Sequence, residues 1–329
     1  MSVARPRPRR TTALAVAAVA VLALAGCDDK DPGQGARPAD GASSSGTPSA
    51  GTSAATGAPS GSASAGASTA PAGAVDLLSA GSGPRRVLTL DLEKGHEETT
   101  ALRLTMRMDL GAVGTVEVPF SVPLRTTVTA ADDDGYATAS VLGRPTVDGG
   151  KVPAGLGPTI EQTLALMEGT TLRQTLGRDG TVRSSQVDVP DDAPDVVARM
   201  MDTFTNQAFG LAVPFPAEEV GVGARWRSVT SLDLSGAAST VTATYRLSAL
   251  SDDGYTLEVS MQQRTRPGSV PGGGTIVKGS ASGSGTVTGR TGLVLPVSSR
   301  ATLDGTTVVE VGGQRVRTSF GTTLRLTTR

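Results

Sequence analysis

Apolar and polar residues alternate along most of the chain beyond residue 85, which is the pattern of a β-strand with one buried face. In residues 102–110 the even positions are leucine or methionine, whereas the odd positions are arginine, threonine or aspartate. The same period of two recurs in residues 116–128, 241–249, 255–261, 293–303 and 316–326. Pro119 and Pro123 interrupt residues 116–128, and because proline lacks a backbone N–H, we expect an edge or bulged strand there.

Asp-Gly dipeptides separate several of these alternating segments. Such a pair between two strands favours a tight hairpin turn, since both residues tolerate a positive φ angle. The pairs are Asp134-Gly135, Asp148-Gly149, Asp179-Gly180, Asp253-Gly254 and Asp304-Gly305. They predict an antiparallel sheet in which consecutive strands are neighbours, which is a meander.

Two segments have helical periodicity instead. In the shorter one, Thr159 is a candidate N-cap and Gly169 a candidate stop. The longer one, residues 192–209, begins with Asp192 as a candidate N-cap and is followed by Gly210. Its apolar residues recur at intervals near 3.6 and are Val196, Val197, Met200, Met201, Phe204 and Ala208. The chain therefore predicts an α+β fold that is mainly β, with a curved antiparallel meander sheet packed on one long and one short amphipathic helix.

The β-rich part of the chain contains a weak internal repeat. Residues 131–141 are similar to residues 250–260, and residues 177–182 are similar to residues 289–294. The two members of each pair are separated by nearly the same number of residues, which indicates a duplicated β-rich unit. Chance similarity between hairpin sequences is the alternative interpretation.

Residues 1–26 have the three parts of an export signal. Arginines without any acidic residue precede an apolar segment at residues 13–25, and small residues follow it. This apolar segment is shorter than the about 20 residues that span a bilayer, so it is typical of a cleaved signal peptide. Arg9-Arg10 leaves twin-arginine export as an alternative to the general secretory route.

Leu24-Ala25-Gly26-Cys27 resembles the lipobox of a bacterial lipoprotein signal peptide. That resemblance implies cleavage before Cys27 and attachment of a diacylglyceryl group, with fatty acids such as palmitate, to the Cys27 sulfur. Two acyl chains hold a protein on a membrane stably, whereas one chain binds reversibly. We therefore expect lipidated Cys27 to anchor the protein to the outer face of the cytoplasmic membrane, in the cell envelope.

Residues 27–84 combine the lipid-attachment cysteine with a tether composed largely of Ser, Gly, Ala, Thr and Pro. Such a segment has too few apolar side chains to form a core, so we expect it to be disordered. Over its 47 residues from Asp28 to Ala74, such a flexible segment has a typical end-to-end distance of about 40 Å. We expect the β-rich extracytoplasmic domain to occupy residues 85–329.

Composition disfavours several functions. The formal net charge is −1 and no cluster of like charges follows the N-terminus, so nucleic acid is not an expected partner. Cys27 is the only cysteine and His96 the only histidine, which excludes an intramolecular disulfide and a multi-histidine metal site. We predict no cofactor and no metal, and we interpret His96 as a solvated loop residue. We expect no enzyme, although a mechanism built on paired acidic residues stays open.

Residues 213–229 carry a resemblance to a known family. The shared features are Pro214, Pro216, the Val-Gly-Val-Gly segment at 220–223, and Trp226 at the start of a strand, preceded by the hairpin at 177–180. In these features the chain is similar to a family of actinobacterial lipoproteins with a β-rich domain of uncharacterised role. The resemblance implies an envelope lipoprotein with no assigned activity, and it transfers no catalytic residue.

Methionines on the predicted sheet and helix are candidate ligand contacts, because methionine adapts to irregular apolar surfaces. The candidates are Met106, Met108, Met200, Met201 and Phe204. They predict non-catalytic binding of a lipid or other hydrophobic ligand between helix and sheet. One alternative is that these side chains simply fill the core. Another is a cell-wall interaction or scaffolding module without a ligand cavity.

Overall fold

Antiparallel strands account for almost all of the structure. The computed structural model describes residues 75–109, 114–149, 152, 157–190, 212–234, 237–270 and 274–329. Of these residues 69% are in strands and 4% are in a single short helix. The predicted α+β class is therefore wrong, and the fold is nearly all antiparallel β.

The strands follow each other closely along the chain. The first half contains β1 (Val75–Ser79), β2 (Ser82–Arg86), β3 (Glu97–Asp109), β4 (Thr115–Asp132), β5 (Gly135–Leu142), β6 (Thr146–Val147), β7 (Thr171–Leu176) and β8 (Val182–Asp188). The second half contains β9 (Val220–Val222), β10 (Arg225–Leu234), β11 (Ala237–Leu250), β12 (Gly254–Thr265), β13 (Gly268–Val270), β14 (Gly274–Arg290), β15 (Ser298–Val311) and β16 (Gln314–Thr328).

One large curved sheet contains fourteen of the described strands. Its order is β1-β10-β11-β12-β14-β15-β16-β3-β4-β5-β7-β8, while β13 pairs with β14 and β6 pairs with β4. Strands β2 and β9 form a separate two-stranded sheet. Most neighbouring strands are consecutive in the chain, as expected for the predicted meander. The pairing of β16 with β3 is not, and it joins the two halves of the sheet. Strand β1 and the first three residues of β2 lie within residues 27–84, the range expected to form the tether.

The one described helix, α1 (Gly157–Ala165), corresponds to the predicted short helix. The helix begins before Thr159, so this residue lies inside it and is not the N-cap. Turns follow the helix and end at Gly169, which has a φ angle of 81°. The predicted long helix at residues 192–209 lies outside the described residues. Within the described ranges no long helix packs on the sheet.

The prolines of β4 do not place it at an edge, because β3 and β5 pair with it on opposite sides. The carbonyl groups of Pro119 and Pro123 accept hydrogen bonds from the amides of Asp148 and Gly143, at 3.0 and 2.8 Å. The positions where the two prolines lack an N–H therefore face the β5 side of β4, beyond the point where β5 ends at Leu142. The ladder with β3 remains complete, so the expectation of an edge strand is wrong. A bulge-type register shift does occur in β4, but between Val128 and Ala130 in its pairing with β5, away from the prolines.

Three Asp-Gly pairs lie at predicted hairpins: Asp179-Gly180 is within the β7–β8 turn, whereas Gly135 and Gly254 are already the first residues of β5 and β12. Asp148-Gly149 follows β6, and the next described element is α1, so this pair does not join two described strands. Asp304-Gly305 forms no turn, because both residues lie inside β15. The turn between β15 and β16 instead uses Gly312 and Gly313, whose φ angles are 58° and 77°. A positive φ at both central residues suits a two-residue hairpin, which explains why this pair of glycines forms the turn.

Apolar residues form two cores on one face of the curved sheet. The larger core includes Leu88, Tyr136, Phe215, Trp226, Tyr245, Leu247, Tyr255 and Leu257. The smaller core includes Leu102, Val122, Leu124, Leu142, Met167, Leu172, Val187 and Leu326. Trp226 is fully buried near the start of β10, stacks on Tyr245 with centroids 5.6 Å apart, and donates from Nε1 to the Pro214 carbonyl at 2.9 Å.

The segment at residues 88–92 contacts both members of the internal repeat that the sequence contains. The Leu90 amide donates to the Arg178 carbonyl at 2.7 Å, and the Asp91 amide donates to the Thr291 carbonyl at 2.8 Å. Tyr136, in the first hairpin, donates to the Leu90 carbonyl at 2.8 Å, and both Tyr136 and its counterpart Tyr255 enter the larger core. The similar sequences therefore occupy corresponding places in the sheet.

Candidate functional site

Two of the five predicted ligand contacts lie in the described part of the sheet. Met106 and Met108 are on β3, on the same face as Leu102, and neither belongs to the two cores. Met106 is 43% exposed and Met108 is half-buried. Met200, Met201 and Phe204 lie outside the described residues, so the structure does not test whether they meet the sheet.

Other apolar side chains continue the surface around these methionines. Met108 is in register with Phe320 on β16 and with Val116 on β4, and Met106 is in register with Val118. Phe320, Val116 and Val118 are all half-buried. We call Met106, Met108, Val116, Val118 and Phe320 the methionine face. It is a continuous apolar surface that neither core covers.

The opposite face of the same strands has a groove of about 750 Å³. Two adjacent rows of side chains cross the sheet there, as the strand registers show. The first row consists of Arg264, Ser280, Thr306, Ser319, Asp109 and Thr115. The second row consists of Gln262, Ser282, Asp304, Gly321, Arg107 and Glu117. Gln263, Ala281, Gly305 and Phe320, which lie between the two rows in the register, also line the site. We call it the polar groove, since both rows, apart from Gly321, consist of residues with hydrophilic side chains.

A glycine lets the central ion pair of the polar groove form. Arg107 and Asp304 lie on strands that are separated by β16, yet their side chains meet at 3.3 Å. Gly321 lies between them in the register, and a Cβ added there would be 2.8 Å from Asp304 Oδ1 and 3.2 Å from Arg107 Nη2. Both charged side chains are largely exposed, so the pair itself adds little stability.

Arg264 has a different environment from Arg107. It is exposed at the β12 end of the first row, and its guanidinium forms no ion pair or hydrogen bond with any described residue. The hydroxyl groups of Ser280, Ser282, Thr306 and Ser319 likewise have no hydrogen-bond partner in the described ranges. The polar groove therefore combines one unpaired cation with a set of free hydroxyl groups.

Glu98 is a buried carboxylate that the sequence did not reveal. Its side chain is 1% exposed, and its two oxygens accept hydrogen bonds from the amides of Val294 and Leu295, at 3.1 and 2.9 Å. Burial raises the pKa of this carboxyl, against the opposing effects of the two amides and of His96. His96 Nε2 lies 3.9 Å from Glu98 and is a buried atom without a hydrogen-bond partner among the described residues. His96 is therefore half-buried beside a carboxylate and is not a freely solvated loop residue.

The aspartates at residues 132–134 stabilise a turn. Asp132 Oδ1 accepts hydrogen bonds from the amides of Asp134 and Gly135, each at 3.0 Å. In the ranges that the structure describes, no group of three or more His, Cys, Asp or Glu residues is arranged to hold a metal ion. A membrane-spanning helix of sufficient length and apolarity is also not found among these residues.

Comparison with known proteins gives little guidance. No protein-family model and no curated protein matches the chain. Among solved structures, an outer membrane channel from Pseudomonas putida F1 has 10% identity and a TM-score of 0.19, covering 72% of this chain and 97% of its own. OccK2 of Pseudomonas aeruginosa has 9% identity and a TM-score of 0.20, covering 73% and 98%. Similarity at this level assigns neither a fold nor a function.

Proposed function

We propose that the protein is a lipid-anchored binding protein of the cell envelope, whose β-rich domain holds a hydrophobic ligand on the methionine face without catalysis. The observation that supports this proposal is the 43% exposure of Met106 within a half-buried apolar surface that lies outside both cores. Methionine side chains are flexible and polarisable, so they fit acyl chains of varied shape. Burying such a surface against a ligand contributes roughly 25 cal/mol per Å² of apolar area.

The test begins with the lipidated full-length protein, extracted in mild detergent from its own host. Mass spectrometry of the intact protein separates non-covalent lipid from the anchor, because only the anchor stays attached after denaturation. We expect co-purified lipid with the native sequence and a loss of at least about ten-fold in its occupancy in the Met106→Gln/Met108→Gln variant.

Val222→Gln is a matched control, because Val222 is 44% exposed on β9, away from the methionine face. It should keep the full lipid occupancy. Absence of non-covalent lipid in the native protein, or an equal loss in both variants, would contradict the hydrophobic ligand.

A second candidate function is a cell-wall interaction module. The polar groove is the observation that favours it, since an open hydrophilic groove suits a polymer better than it suits an acyl chain. If the native protein carries no lipid and binds cell-wall polymer instead, this second function replaces the first.

A further inference from the structure

We propose that the polar groove is a binding site for an acidic glycan, an extended hydroxyl-rich polymer whose carboxylate or phosphate group pairs with Arg264. The groove is on the face of the sheet opposite to the methionine face. Phe320 borders both sites, but the two hydrophilic rows belong to the groove alone, so this proposal does not depend on a hydrophobic ligand.

The shape of the polar groove fits a chain-like ligand. Its rows cross six neighbouring strands, β12, β14, β15, β16, β3 and β4. Five inter-strand spacings of about 4.8 Å give a length of about 24 Å. The volume of about 750 Å³ is therefore spread along a shallow trough, which an extended oligosaccharide can follow across the strands.

The floor of the polar groove matches the hydrogen-bonding capacity of a sugar. Ser280, Ser282, Thr306 and Ser319 each present a hydroxyl that donates and accepts, and Gln262 adds an amide with the same two abilities. These groups have no hydrogen-bond partners among the described residues. An apolar ligand would bury them unpaired, which is unfavourable, whereas glycan hydroxyls can pair with all of them.

The charges at the polar groove favour an acidic substituent on the glycan. Arg107 is already paired with Asp304 at 3.3 Å and is in register with Glu117 on β4, so it is not available to a ligand. Asp109 lies in the same row as Arg264, but four strands away, which is about 19 Å. The guanidinium of Arg264 is thus the charge available to a ligand, and its planar fork suits a carboxylate or a phosphate.

The experiment measures binding of three dextrans of equal length to the lipidated full-length protein in detergent. One is unmodified, one is carboxymethylated and one is phosphorylated. We expect at least one acidic dextran to bind about ten-fold more tightly than the neutral one, with affinity falling as salt is raised. Which acidic dextran binds better distinguishes a carboxylate ligand from a phosphate ligand.

Two variants and a control locate the site. Arg264→Gln should weaken binding of the acidic dextran about ten-fold. Ser280→Trp should block the groove and remove binding to every dextran. Arg300→Gln should leave binding unchanged, because Arg300 is an exposed residue of β15 on the same face but outside the groove. Unchanged thermal unfolding of each variant shows that the fold is intact.

Three outcomes would overturn the proposal. The first is no binding of any dextran. The second is equal binding of neutral and acidic dextrans, which would remove the role of Arg264. The third is an equal effect of Arg264→Gln and Arg300→Gln, which would show general attraction to a basic surface.

Discussion

The carboxylate of Glu98 accepts a hydrogen bond from the amide of Leu295 at 2.9 Å, across 197 residues of sequence. Its other oxygen accepts from the neighbouring amide of Val294, so one side chain holds the loop before β15 onto the start of β3. Val294 and Leu295 both belong to the larger core, and each is 8% exposed. The buried charge is therefore a structural connection between the two halves of the sheet.

Glu98→Ala should destabilise the domain by about 2–4 kcal/mol, because it leaves two buried amides without an acceptor. Chemical denaturation monitored by tryptophan fluorescence checks this value, since Trp226 is buried in the same core. Glu258→Ala is the control, because Glu258 is exposed and only pairs with Arg246 at the surface. That substitution should cost no more than about 1 kcal/mol. Similar losses in the two variants would refute the buried role of Glu98.

The pKa of Glu98 predicts the sign of a pH effect. Burial raises the pKa in the folded state, so between the ordinary glutamate value and the raised value the folded chain binds more protons than the unfolded chain. The contribution of Glu98 to stability must then fall as pH rises through that window. Glu98→Gln lacks this titration, so the free energy of unfolding of the native protein should decline relative to that of the variant over the same window. A difference that stays flat or grows with pH would contradict the assignment.

Phe320 and Gly305 should be energetically coupled. A Cβ at position 305 would lie 2.4 Å from Phe320 Cζ and 2.7 Å from the Cβ of Ala281, so the aromatic ring covers the glycine. We expect Gly305→Ala to destabilise the native protein more than it destabilises a Phe320→Ala background. A double-mutant cycle should give a coupling energy of at least about 1 kcal/mol. Additivity within about 0.5 kcal/mol would show that the ring does not occupy this space.

Alanine substitutions at Gly180 and Gly95 should distinguish the cost of a positive φ angle from the cost of a steric clash. The φ angles of these glycines are 73° and 87°, but a Cβ at Gly180 would lie 2.3 Å from the Val213 carbonyl oxygen, whereas Gly95 has open space. Alanine at either position should cost about 1–2 kcal/mol for its φ angle. Gly180→Ala should cost roughly 1–3 kcal/mol more, because the β7–β8 turn must move away from residue 213. Equal thermal midpoints for the two variants would contradict this packing.

Cys27→Ser tests the predicted anchor. Removal of the sulfur prevents acylation, so the protein should leave the membrane fraction on cell fractionation. Metabolic labelling with a palmitate analogue should mark the native protein and not the variant. Membrane retention of the unlabelled variant would refute anchoring through Cys27.

Strand alternation predicted β3 and β4 well, because their leucine, methionine and valine residues all face one side. It did not predict the length of β14, which contains glycine, serine, alanine and threonine on both faces. The glycines of β14 fit close to larger neighbours: a Cβ at Gly289 would lie 2.2 Å from the Tyr255 ring. Such a strand is specified by the residues next to it in the sheet, so its own sequence pattern is weak.

The polar groove could not be predicted for a related reason. Arg264, Asp304 and Arg107 belong to three strands that are far apart in sequence, and only the register brings them into adjacent rows. Asp304-Gly305 also gave a false hairpin signal, because the space beside this glycine is filled by Phe320 from another strand. Local patterns therefore identified most strands, whereas the sites depend on long-range pairing.

The pairing of β16 with β3 has a consequence for how the domain matures. Thr100 and Thr328, whose hydroxyl oxygens are 2.8 Å apart, are separated by 228 residues, so this ladder closes the longest loop of the large sheet. In a chain exported from its N-terminus, β3 reaches the outside long before β16. During that interval β3 is an open edge that can pair with another molecule. For a chain exported in this way, completion of export and protection of the β3 edge would coincide with the arrival of β16.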